Sequence, residues 1–148
     1  MSYGIDVNIL LYASDAGCSE HLKAGAFLEQ CAKGSEVLCL AWVTVMSYLR
    51  IATHPAIFSK PLTHDDAASN LDALLALPHL RLIGEGEVAS VGFWPAYRRL
   101  AGELPVRGNL VPDAHLAALL RQHGVKTLYT HDKDFRKFSG LKVIDPLA

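Results

Sequence analysis

Short apolar runs alternate with helical stripes along almost the whole chain. Residues 2–6 predict a first β-strand, followed at once by a short helix over 8–13. Within 21–33, Leu22, Ala26, Phe27 and Gln30 recur at the spacing of one helical face, and Gly34 supplies a stop. Residues 37–40 predict a buried strand. A helix over 43–53 offers Val43, Met46, Tyr48 and Leu49 for packing, and Pro55 ends it, because a residue before proline is pushed out of the helical region. Thr63 is a good N-cap for a helix over 65–77, with Asp65 and Asp66 in its first turn. Pro78 stops that helix, and 80–83 predict another strand. A helix over 87–101 is expected to kink or divide at Pro95. A loop over 102–112 follows, its residues 109–111 strand-like. Residues 113–123, rich in Ala and Leu, carry the cleanest helical pattern, with an acid at the start and Gly124 just past the end. A strand over 127–130, a turn with a short helix over 131–138 and a last strand over 141–144 complete the chain.

Strands separated by helices imply an α/β fold whose mostly parallel sheet is covered on both faces. The 148 residues show no linker and no internal repeat, which predicts one domain over 1–148. The longest apolar runs, such as 38–45, are far shorter than the ~20 residues that cross a bilayer. Asp6 interrupts the first apolar run with no basic residue before it, unlike a secretory signal. A cytoplasmic protein without membrane attachment is the expectation. Cys18, Cys31 and Cys39 are odd in number and lack the paired spacing of a zinc site, so they read as core thiols of a reducing compartment. A net charge of −1 excludes a general DNA-coating protein but leaves room for an acidic pocket with basic flanks.

In a parallel α/β sheet, ligands bind beyond the carboxyl ends of the strands, so acids at strand ends are the residues of interest. Asp6 closes the first strand in an apolar setting, where a carboxylate is costly unless a cation or several donors meet it; capping the helix that begins at Asn8 is the alternative role. Asp113 opens the helix over 113–123 and, judged alone, reads as a dipole partner worth about 0.3–1 kcal/mol. Asp132 and Asp134 follow the strand over 127–130, where turn chemistry is the plainer explanation. Three strand-then-acid junctions in one sheet would aim three carboxylates at one rim, and such hard oxygen ligands suit Mg²⁺ or Mn²⁺. Divalent ions so held activate water toward phosphodiesters without a nucleophilic side chain, and the sequence contains neither a nucleophile elbow nor a Walker loop. His115 and His131 stand next to the candidate acids in sequence and are candidate phosphate contacts. Arg98, Arg99, Arg107, Lys133, Arg136 and Lys137 are candidate basic flanks, each also explicable as a solvated surface charge.

Taken in order, Asp6, Asn8 and Tyr12, then Trp42 with Arg50 and Thr53-His54-Pro55, then Asn109, Val111, Asp113 and His115, then Thr130, Asp132, Asp134 and Phe135 resemble a PIN-domain ribonuclease, and within that family the VapC toxins of bacterial toxin–antitoxin pairs. The likeness spans essentially the whole chain. It implies a three-layer α/β/α sandwich, Mg²⁺-dependent endoribonuclease activity, a homodimer and inhibition by a VapB-like antitoxin. Carried over position by position, Asp6, Asp113 and Asp132 match the acidic metal ligands and catalytic set, and Asp134 a more variable supporting acid. Asn8 and Thr130 match residues that hold those acids in place. One position departs from the pattern: many relatives carry a glutamate three residues before the arginine matched by Arg50, and here Ser47 stands there. A hydroxyl binds a metal-coordinated water but brings no charge, so a single well-held ion is expected, with Asp134 supplying the missing charge. Arg50 is a candidate for binding substrate phosphate or for a salt bridge.

Two rival readings remain at this point. A degenerate scaffold would bind antitoxin or RNA without cutting, although idle acids would then repel one another at a cost. A phosphatase of the haloacid dehalogenase type would use Asp6 as nucleophile. Those enzymes usually carry an acid where Asn8 stands, and an amide cannot donate the proton they need.

Overall fold

Alternation along one strand explains the architecture. In the computed structural model, which describes every residue except Glu87, β2 (Val37–Ala41) sends Leu38 and Leu40 to one side and Cys39 and Ala41 to the other, all four buried. A strand buried on both faces needs a layer of helices on each. Beside it lie β1 (Ser2–Ile5) and β3 (Leu80–Ile83); β4 (Thr127–Tyr129) pairs with the far edge of β1, and β5 (Lys142–Ile144) with β4. The order is β3-β2-β1-β4-β5 and every pairing is parallel.

One helical layer, α5 (Phe93–Ala101) with α6 (Leu110–Gln122), covers Cys39, Ala41, Ile83 and Leu128. The other consists of α1 (Val7–Ser14), α2 (His21–Lys33), α3 (Trp42–Ala52) and α4 (His64–Leu75), packed on Tyr3, Ile5, Leu38 and Leu40. This is a three-layer α/β/α sandwich. Removing a Leu or Ile side chain from water contributes about 1.5–3 kcal/mol, and Leu38, Leu40, Leu128 and Ile5 are all essentially inaccessible. Gly4 marks a close approach between layers: a Cβ there would lie 2.7 Å from Leu120 Cδ2.

Two helices begin where the sequence suggests otherwise. α6 starts at Leu110, so residues 109–111 are not strand-like; Asn109 flanks the helix and Leu110 and Val111 open it. α5 starts at Phe93, after a small antiparallel bridge between Val88 and Val91, and runs uninterrupted through Pro95; Glu87, where that helix was expected to begin, lies outside the described residues. The physical reason is shared. Pro95 and Pro112 are each the third residue of their helix, where the backbone N–H has no acceptor within the helix and its loss costs little. The remaining boundaries agree to within two residues, and Thr63 caps α4 by accepting from the Asp66 N–H at 3.1 Å.

Because β1 has β2 on one side and β4 on the other, strand order reverses between β1 and β4. In this topology the crevice beyond their carboxyl ends is the natural place for a ligand.

Candidate metal centre

Asp6 directly follows β1 and caps α1. Its Oδ1 accepts from the Val7 N–H at 2.7 Å and its Oδ2 from the Thr130 hydroxyl at 2.8 Å. Thr130 directly follows β4 and is 1% exposed. While donating to Asp6, its Oγ1 accepts from Asn8 Nδ2 at 3.3 Å and from the Asp132 N–H at 3.0 Å. One buried hydroxyl thereby ties the end of β1 to the end of β4. Asn8 Oδ1 is buried and makes no hydrogen bond among the described residues.

Asp132 caps the 3₁₀ turn Lys133–Lys137, its Oδ1 accepting from the Asp134 N–H at 2.9 Å. Asp113 joins it from the first turn of α6. Carboxylate oxygens of Asp113, Asp132 and Asp134 all lie within 4.8 Å of one another. Asp6 is not in that trio, but it is close enough for its charge to be felt. Burial first, then the charges of Asp132, Asp6 and Asp134, push the Asp113 carboxyl from 3.8 up to about 6, with Lys137 opposing. Burial also raises Asp6, against the bonds from Thr130 and Val7 that lower it, and Asp132 adds to the rise. The crowded carboxylates form a donor set of oxygen alone, with negative charge concentrated in one place. That chemistry fits a hard divalent cation such as Mg²⁺ or Mn²⁺.

The other candidate residues come from several elements. His115 lies two residues beyond Asp113, about 200° round the helix. Its Nε2 is 2.7 Å from Glu85 Oε1 and its ring 5.0 Å from that of Phe93, so it is engaged with the β3 end and α5. Arg50 is exposed and forms no ion pair among the described residues; the salt bridge considered for it is absent there. Ser47, half-buried on α3, makes no side-chain hydrogen bond among the described residues. Lys137 Nζ lies 3.8 Å from Asp134 Oδ1. Cys31 and Cys39 are buried and Cys18 partly so, all three unbridged; burial raises the thiols of Cys31 and Cys39.

The picture of three strand-then-acid junctions needs correction on two counts. Asp113 arrives from a helix, not from the end of a strand. Meanwhile Glu85 and Asp145 do follow strands, β3 and β5, and were passed over. The reasoning that singled out Asp6 applies equally to both. Asp145 Oδ2 accepts from His131 Nδ1 at 2.8 Å, which anchors the imidazole adjacent in sequence to Asp132.

Residues 3–141 match the family model of the PIN domain. Over 148 residues, all of this chain and 99% of the relative, the sequence is 42% identical to a Mycobacterium tuberculosis protein described as Ribonuclease VapC48. It is 34% identical over 143 residues to VapC ribonuclease Mb2897 of Mycobacterium bovis, covering 97% of this chain and 94% of the relative. Two solved structures share the fold. VapBC2 from Rickettsia felis, described as bound to a DNA fragment from the promoter, superposes with a TM-score of 0.68 at 22% identity, covering 97% of this chain and 98% of that one. VapBC-1 from nontypeable Haemophilus influenzae gives 0.67 at 17% identity over 100% of both chains.

Proposed function

This chain belongs to the PIN-domain family, alongside the VapC ribonucleases, and from that premise we propose that it is a metal-dependent endoribonuclease, the toxin of a toxin–antitoxin pair. The reading rests above all on the gathering of Asp113, Asp132 and Asp134 within 4.8 Å, with Asp6 electrostatically coupled to them. These four acids would hold Mg²⁺, with Mn²⁺ as a substitute, and Asp134 offsets the charge that Ser47 lacks. When bound, such an ion supplies Lewis-acid polarisation of a phosphoryl oxygen and a lowered pKa for water.

The chain's own residues perform the positioning. Thr130 Oγ1 fixes the Asp6 carboxylate by donating to Oδ2, and Asn8 Nδ2 holds Thr130 in that orientation. Asp132 is oriented through its own N–H and through Asp134. Hydrolysis breaks one P–O bond of the RNA: hydroxide from water joins phosphorus, and the departing ribose oxygen takes the remaining proton. The partner is a VapB-like antitoxin, by analogy with the VapBC assemblies of the same fold. The working unit is a cytoplasmic homodimer in which residues 1–148 act as one domain.

The test is Asp6→Asn. The variant should fold, as judged by circular dichroism, yet neither cleave RNA in Mg²⁺ nor arrest growth, and EDTA should silence the wild-type protein. Cleavage persisting in the variant, or undiminished in EDTA, would overturn the reading. Ser47 favours one alternative, a scaffold that binds antitoxin or RNA without cutting. For that scaffold, wild type and Asp6→Asn would be equally inert in both Mg²⁺ and Mn²⁺.

A further inference from the structure

Trp94, in the first turn of α5, keeps 62% of its surface exposed. It shares one helical face with Tyr97 and Arg98, three and four residues on. The Tyr97 ring lies nearly parallel to the indole, 18° apart in plane and 5.8 Å between centroids, and the Arg98 guanidinium carbon stands 5.8 Å from the indole centroid. Both separations fall within the ordinary ranges of aromatic stacking and cation–π contact, so Tyr97 and Arg98 flank the indole while most of its surface stays open. Arg98 and Arg99 are exposed and make no ion pair among the described residues. No Asp or Glu occurs from Val88 to Gly102. A chain of net charge −1 thus carries a locally basic, aromatic helix face.

The start of this helix packs on the N-terminal end of α6, the end that carries Asp113 on its other side: the ring of Phe93, next to Trp94, is 5.0 Å from that of His115. A largely exposed indole beside guanidinium groups that have no acidic partner among the described residues suits single-stranded nucleic acid, whose bases stack on aromatic faces while cations meet the phosphates. A second copy of this chain fits less well. A two-fold contact through α5 would set Arg98 and Arg99 of both copies against each other, with no acid on the helix to offset the repulsion.

We propose that the outer face of α5 docks single-stranded RNA on its way to the acidic rim, with Trp94 stacking on a base and Arg98 and Arg99 meeting the backbone. This rests on the RNA-cutting function proposed above and adds the surface that holds the strand.

The experiment measures binding of a fluorescein-labelled oligoadenylate RNA by anisotropy in EDTA, where cutting plays no part. Trp94→Ala should weaken binding about tenfold, Trp94→Phe should restore most of it, and Asp6→Asn should bind no more weakly than wild type. Arg98→Ala with Arg99→Ala should flatten the log–log salt dependence by about 1.4, roughly 0.7 for each lost cation. Equal binding by wild type and Trp94→Ala would overturn the proposal. So would a halving of particle mass in Trp94→Ala with RNA affinity unchanged, which assigns the face to a second copy. Cleavage of total RNA in Mg²⁺ is scored in parallel. Wild type that cuts while Trp94→Ala binds normally sinks only the docking surface; wild type that binds through Trp94 but never cuts sinks only the nuclease.

Discussion

The Thr130 hydroxyl serves three partners at once, donating to Asp6 and accepting from Asn8 and the Asp132 backbone, in a position closed to water. Valine has nearly the same shape and none of that capacity, so Thr130→Val isolates the hydroxyl. Stranding buried polar groups should cost about 1–3 kcal/mol of stability. Freeing Asp6 to move should lower metal affinity or cleavage by roughly 10- to 100-fold, while Thr130→Ser recovers most of both. Thermal unfolding and an Mg²⁺ titration check the two effects separately; unchanged Mg²⁺ affinity in Thr130→Val would make the hydroxyl purely structural. Asp6 and Asp132 were legible because acids stand out at apolar strand ends, whereas Asn8 and Thr130 were singled out as holding them through the family resemblance. The mutual bonds of the four were not legible, since they join positions 6 and 8 to positions 130 and 132, and no local pattern reports which strands become neighbours.

Among elements, α6 decides the geometry, since it carries Asp113 and presses against β1 at Gly4. Gly4→Val would drive side-chain carbons into Leu120, which is itself buried. Overpacking of this kind costs about 1–3 kcal/mol, which lowers Tm by roughly 2–4 °C for each kcal/mol in a chain of this size. The displaced helix should carry Asp113 away from Asp132 and Asp134, so cleavage should fall further than stability alone explains. Scanning calorimetry paired with cleavage rates below the transition separates these. Helix existence was readable from apolar spacing throughout, and β3 was readable to the residue. The starts of α5 and α6 were not, because proline is a breaker inside a helix and harmless in its first turn, and sequence alone does not say which turn it occupies. His115 illustrates a related point: adjacency along a helix is not adjacency in space, and two residues on from Asp113 is the opposite side of α6, where the imidazole meets Glu85.

For the molecule as a whole, the acidic rim is a source of internal repulsion. The Asp113 carboxyl titrates at about 6 in the folded, metal-free chain against 3.8 ordinarily. Between those values the folded state holds more protons than the unfolded one, so stability present below about 3.8 is lost as pH rises through 6. Asp113→Asn should therefore stabilise the metal-free protein at pH 7 by roughly 1 kcal/mol after discounting for exposure, seen as a higher Tm, and the gain should vanish near pH 4. Mg²⁺ at about 100 times its Kd should stabilise wild type by about 2.7 kcal/mol and the variant by much less. Equal Mg²⁺ responses in unfolding scans would remove Asp113 from the metal centre. The strand order has a further consequence, one of timing. Asp6 emerges early in synthesis, yet its neighbours across the crevice come from residues 113–134. At about 5–20 residues per second, roughly 6 to 25 seconds separate the first of these acids from the last. The ribosome therefore extrudes most of this polypeptide before the acids can meet, and a half-made chain carries Asp6 alone of that set.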